Sequence, residues 1–118
     1  MRKIEEKMIN AILSSREKDL SWTSGNTRVT ARTFGTHKWI EVLLHNNIIA
    51  RMHYGEDDNG TGWTMGLTNC GWATRTTHSR LNAIIEGITG LSDKFTSKNS
   101  KNRTFSKIGY GSSWERVS

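Results

Sequence analysis

Residues 38–54 constrain the fold more than any other stretch. Two apolar runs, residues 38–45 and 48–54, meet at Asn46-Asn47. Asparagine tolerates the positive φ that tight hairpin turns demand, so the pattern predicts an antiparallel pair with Asn46-Asn47 as its loop. That register sets Trp39, Glu41, Leu43 and His45 opposite Tyr54, Met52, Ala50 and Ile48, and Ile40, Val42 and Leu44 opposite His53, Arg51 and Ile49. Both faces then carry apolar groups, as in a central strand pair or an interface between copies, so a homodimer is one expectation. Upstream, after the turn signal Gly25-Asn26, Val29, Ala31 and Thr33 alternate with Arg28, Thr30 and Arg32, which reads as a strand with a basic outer face. Downstream, residues 55–62 read as a flexible acidic loop, and Trp63, Met65 and Leu67 mark a fourth strand.

Helical spacing occurs twice. Ile4, Met8, Ala11 and Ile12 share one face over residues 3–15, with Glu5 and Glu6 in the first turn. Leu81, Ile84, Ile85 and Ile88 do the same over residues 77–89, with Thr76 or Thr77 as the N-cap and Gly90 as the stop. These elements predict an α+β fold over residues 1–91: a four-stranded, mostly antiparallel sheet packed with an N-terminal helix and a second helix after the sheet. From residue 92 the chain turns Ser-, Lys- and Asn-rich without sustained periodicity. Residues 92–118 read as a basic, flexible tail, with 92–104 a linker and 105–117 a short segment able to dock.

Composition removes several function classes. The single cysteine, Cys70, allows no internal disulfide and no thiolate metal site, and reads as a small buried thiol. No apolar run reaches membrane-spanning length, and Glu5 and Glu6 interrupt any signal-peptide pattern, so a cytoplasmic protein is expected. His37, His45, His53 and His78 fall in no metal-ligand spacing. His45-Asn46-Asn47 resembles the start of a His-Asn-His nuclease motif but lacks the helix that should follow closely. The acidic run Glu56-Asp57-Asp58-Asn59-Gly60 places Thr68 where a calcium loop needs a bidentate Glu. No carboxylate pair and no Ser/His/Asp set can be placed together, so the expectation is a non-enzymatic protein with no cofactor and no metal.

The charge points elsewhere. Net charge is +6 over 118 residues. Much of the excess lies beyond residue 91, where Lys94, Lys98, Lys101, Arg103, Lys107 and Arg116 stand against Asp93 and Glu115. Arginine forks pair with phosphate, and exposed indoles stack on bases. The chain offers Arg28, Arg32, Arg51, Arg75 and Arg80 with Trp22, Trp39, Trp63 and Trp72. From this set we take Arg28, Arg32, Arg75, Arg80, Lys98, Lys101, Arg103 and Lys107 as phosphate contacts, and Trp22 and Trp72 as stacking residues. The leading expectation is a nucleic-acid-binding accessory protein. The alternatives are an inhibitor that binds another protein directly, and a protein that sequesters a small nucleotide signal.

Three segments carry a family resemblance: Trp22-Thr23-Ser24-Gly25-Asn26-Thr27, Leu44-His45-Asn46-Asn47-Ile48-Ile49-Ala50, and Gly71-Trp72-Ala73-Thr74-Arg75-Thr76-Thr77-His78-Ser79-Arg80-Leu81-Asn82-Ala83. Together they resemble a family of small, largely uncharacterised tailed-bacteriophage proteins over residues 20–90. The resemblance implies a phage product made in a bacterial cytoplasm, where it meets nucleic acid or host proteins, so that an inhibitor would act on a host defence complex or polymerase. It assigns no residue a role.

Overall fold

The structure is a computed structural model that describes residues 1–57, 60–108 and 113–118. Helix α1 (Lys3–Ser15) leads into strands β1 (Leu20–Ser24), β2 (Thr27–Phe34), β3 (His37–Leu44), β4 (Asn47–Asp57) and β5 (Gly60–Leu67). Helix α2 (Arg75–Ile84) continues as a π-helical turn over Ile85–Thr89, and strands β6 (Arg103–Ile108) and β7 (Glu115–Arg116) close the described chain. The strands form one antiparallel sheet in the order β1-β2-β3-β4-β5-β6-β7. The α+β class with two helices holds, but the sheet has seven strands among the described residues, not four.

The additional strands are β1, β6 and β7, and each hides its periodicity. β1 adds only Leu20 and Trp22 to the core side and joins β2 through Gly25-Asn26, with Ser24 opposite Thr27. In β6 the positions sharing Phe105's side of the sheet are Arg103 and Lys107, so an inward face reads as a basic tail. Phe105 is fully buried opposite Met65, and Phe95 and Trp114 also enter the core. Within the segment read as an acidic loop, pairing of β4 with β5 reaches Asp57 opposite Gly60, which leaves Asp58 and Asn59 outside the described residues. Tyr110 of the expected docked segment also lies outside them.

The β3–β4 hairpin forms in a register other than the expected one. Its left-handed residues are His45 (φ 50°) and Asn46 (φ 67°), so the turn is His45-Asn46 and Leu44 pairs with Asn47. A shift between Val42 and Leu43 makes Ile49 the extra residue of a bulge. One residue of slip exchanges the faces. Ile40 now meets Met52 and Val42 meets Ala50 on the core side, while Trp39 meets His53 and Glu41 meets Arg51 on the other. The bulge lets adjacent Ile49 and Ala50 both be buried.

Both helices cover one face of the sheet, where Met8 and Ile12 of α1 and Leu81 and Ile84 of α2 pack with Ile40, Met52 and Met65. The α2 N-cap is Thr74 rather than Thr76 or Thr77: its Oγ1 accepts from the Thr77 N–H at 3.1 Å, and the two hydroxyls lie 2.9 Å apart. The helix therefore starts earlier than its apolar stripe suggests. In the π-helical turn, a Cβ on Gly87 would sit 3.0 Å from Ile9 Cδ1, so this turn packs closely on α1 and a larger residue here would displace the Ile9 side chain.

Candidate functional site

Alternation along β2, β3 and β4 sends a second set of side chains to the face that the helices leave uncovered. Pairing arranges them in rows across the strands. Arg32 lies opposite Trp39, and Trp39 opposite His53; Thr30 lies opposite Glu41, and Glu41 opposite Arg51; Arg28 lies opposite Leu43, and Phe34 opposite His37. Phe34 is 61% exposed and Trp39 is 39% exposed, and Arg28, Arg32 and Arg51 are exposed with them. Thr30, Arg32, Phe34, Trp39, Glu41 and Arg51 line a cleft of about 350 Å³.

The platform is braced from within the sheet. The Trp39 ring stacks on His53 with centroids 4.0 Å apart, and His53 Nε2 lies 2.8 Å from His37 Nδ1, a hydrogen bond in which one imidazole donates. Gly55 makes room for this pair, because a Cβ there would collide with the His37 ring and approach His53 Cε1 to 2.9 Å. Glu41 Oε2 accepts from Arg51 Nε at 2.9 Å and forms an ion pair with Nη2 at 2.8 Å. That pair orients Arg51 in solvent, where its stabilisation is small. Arg28 and Arg32 are partnerless among the described residues, so the face keeps a surplus of guanidinium charge.

The sequence-predicted phosphate contacts divide into exposed and buried groups. Arg28 and Arg32 share the open face, Arg75 is exposed on the first turn of α2, and Lys98 and Lys101 are exposed in the segment before β6. Lys107 is half-buried on β6. Arg80 is buried: its Nη1 donates to Glu5 Oε2 at 2.7 Å and its Nε to Thr27 Oγ1 at 3.1 Å. It joins α2 to α1 and β2 instead of facing solvent. Burial alone would raise the Glu5 carboxyl, but the Ser79 hydroxyl, the Arg80 guanidinium and the Arg2 N–H hold it below its ordinary value. Arg103 is 1% exposed, lies 3.9 Å from the Phe95 ring centroid and donates from Nη2 to Asn99 O. Neither Arg80 nor Arg103 is presented to a phosphate in this arrangement.

Of the two expected stacking residues, Trp22 is partly buried against the core, and Trp72 is 60% exposed in the turn before α2, on a different cleft from that of the sheet's open face. Trp39, Arg51 and Phe34 complete the open face, although the sequence reading did not select them as contacts. The signal was in the β2–β3 turn, since pairing Phe34 with His37 across Gly35-Thr36 brings Arg32 beside Trp39. Cys70 is exposed rather than buried; its thiol donates to Ile48 O at 2.9 Å. No three His, Cys, Asp or Glu side chains gather at metal-binding distance among the described residues, and no described helix is long and apolar enough to cross a membrane.

Comparison with known proteins places the chain in a family. A family model described as Kyanoviridae Gp96 protein matches residues 1–107, and the chain belongs to that phage protein family. The resemblance read from its motifs agrees at that level. No curated protein and no solved structure matches the chain.

Proposed function

We propose that this Kyanoviridae Gp96 family member is a binding protein without chemistry of its own, which holds single-stranded nucleic acid across the open face of its sheet inside the bacterial host. The observation that carries this reading is the juxtaposition of exposed Phe34 and Trp39 with Arg28, Arg32 and Arg51 on a face that neither helix covers. Exposed rings gain little by facing water, and unstacked bases supply the π-faces they match. Duplex bases are already stacked, so a flat aromatic face favours single strands. The exposed Lys98 and Lys101 add sequence-independent attraction, and so does Arg75.

The test is fluorescence anisotropy with labelled oligo-dT and oligo-rU over a salt series. If the three guanidiniums of the face each neutralise one phosphate, log affinity falls with log salt at a slope of about −2. Trp39→Ala weakens binding about tenfold, within the range for one lost base stack. Unchanged affinity in Trp39→Ala and Arg32→Ala together rejects the reading.

The same exposed Trp, Phe and Arg set also has the composition of a protein-binding hot spot. A stoichiometric complex with a host protein that survives nuclease treatment and is lost in Trp39→Ala would favour that second reading.

A further inference from the structure

At the end of the sheet marked by the His45-Asn46 turn, the start of α2 and the β3–β4 hairpin enclose a cavity of about 470 Å³. Its apolar floor is Leu44 and Ile49, both buried; His45, Asn47, Asn69 and Thr76 supply polar rim, and Trp72 forms a wall. That volume falls within the roughly 300–1,000 Å³ usual for small-ligand sites, whose mix of apolar lining and a few polar groups it shares. The open sheet face plays no part in it, because the residues lining the two clefts are different.

Trp72 is the informative residue. A fold of this size gains by burying an indole, yet this one is 60% exposed. It is also held in place. Cys70 (φ 55°) and Gly71 (φ 81°) form a left-handed turn closed by the Trp72 N–H on Asn69 O at 2.8 Å. Asn69 Oδ1 accepts from the Gly71 N–H at 2.9 Å, and Thr68 Oγ1 accepts from the Cys70 N–H at 3.1 Å. The Cys70 thiol ties the turn to β4 through Ile48 O. These bonds fix the Trp72 backbone, and so the point from which the indole projects, which lowers the ordering cost of a ligand that stacks on it. On the same cavity, the Thr76 hydroxyl has no hydrogen-bond partner among the described residues.

An aromatic wall, an apolar floor and a rim of amides and a hydroxyl match a flat ring with a hydrogen-bonding edge. We propose that this cavity binds a single nucleobase stacked on Trp72, with its polar edge toward Asn69, Asn47 and Thr76. This site is separate from the sheet face and stands whether or not that face binds nucleic acid.

The experiment follows the indole N–H resonances of the full chain during titration with adenosine, cytidine, guanosine and uridine, using indane as an apolar ring of similar shape. The expected result is a saturable shift of the Trp72 resonance with at least one nucleoside and a weaker response to indane. Trp72→Leu should reduce affinity roughly tenfold or more, as loss of a base stack does. Because Trp72 is exposed, that variant keeps its fold, which the remaining resonances report. Thr76→Val should weaken the nucleoside but not indane. Trp39→Ala should leave the titration unchanged while weakening oligonucleotide binding, which separates failure of this site from failure of the sheet face. The proposal is overturned if no nucleoside saturates the Trp72 shift by millimolar concentration, if indane binds as well as every nucleoside, or if Trp39→Ala abolishes the response.

Discussion

The two faces of one sheet use arginine in opposite ways. On the helix-covered face, Arg80 is buried with Glu5 and Thr27, and Arg103 is buried against Phe95. On the open face, Arg28 and Arg32 stand in solvent beside Trp39 and Phe34. Charge alone cannot tell these pairs apart. Strand parity sorts three of them, since Arg28 and Arg32 fall opposite in parity to the core residues Val29 and Ala31 while Arg103 shares the parity of Phe105; Arg80, on α2, is sorted by its partners Glu5 and Thr27. The difference teaches that a basic composition describes two jobs here, tying elements together inside and presenting charge outside.

The largest expected effects lie on the inner face. Phe105→Ala removes a fully buried ring of β6 and should cost about 3–5 kcal/mol in urea unfolding. A loss below about 1 kcal/mol would mean that β6 contributes little to the core. Arg80→Ala leaves the Glu5 carboxylate buried without its partner and should cost a comparable 3–5 kcal/mol. The double variant Glu5→Leu with Arg80→Met should recover much of that loss, because apolar groups of similar volume replace a buried pair at little cost.

Acid should discriminate the same pair. The folded-state value of Glu5 lies below the 4.5 of an unperturbed carboxyl, so its stabilisation is complete above about pH 4.5 and is lost as pH falls through the lower folded value. Unfolding measured from pH 7 to pH 3 should show this loss in the parent chain. In Glu5→Gln that share of the acid dependence should be gone, on a lower baseline at neutral pH. An identical acid profile in both chains would place the decisive titration elsewhere.

Much of this architecture was legible in the sequence and some was concealed for identifiable reasons. Both helices, β2 and β5 followed from periodicity, and β3 and β4 from two apolar runs flanking an asparagine turn. The hairpin register did not, because His45-Asn46 and Asn46-Asn47 both permit positive φ and the bulge at Ile49 leaves no compositional mark. β6 escaped because Arg103 and Lys107 share the parity of Phe105, so a core strand resembled a solvated tail. Among the candidate residues, the exposure of Arg28 and Arg32 on one face of β2 was legible from alternation. Arg80 was misleading because its partner, Glu5, is 75 residues away in the chain. Trp39 needed the β2–β3 register before it joined the arginines.

A smaller effect tests how the open face is built. Gly55→Ala should displace the His37 ring, break its bond to His53 and loosen the support beneath Trp39. Forcing a methyl into an occupied space costs about 1–3 kcal/mol, with partly exposed histidines at the low end since they can move into solvent. If the His–His pair braces the platform, oligonucleotide affinity falls in parallel with the shift of the Trp39 indole resonance. Stability lost with affinity intact would make the pair a packing feature alone.

The smallest effect on stability should be the most telling one for function. Arg32→Ala removes an exposed side chain with no described partner, so unfolding free energy should change by no more than about 0.5 kcal/mol. If Arg32 meets a phosphate, the same variant should reduce the salt dependence of oligonucleotide binding by about one counterion and weaken all sequences alike. Arg80→Ala makes the opposite prediction: a large stability loss, with affinity per folded molecule unchanged. Finding the two phenotypes reversed would break the distinction between the faces, because it would show that the exposed arginines hold the fold and the buried one holds the ligand.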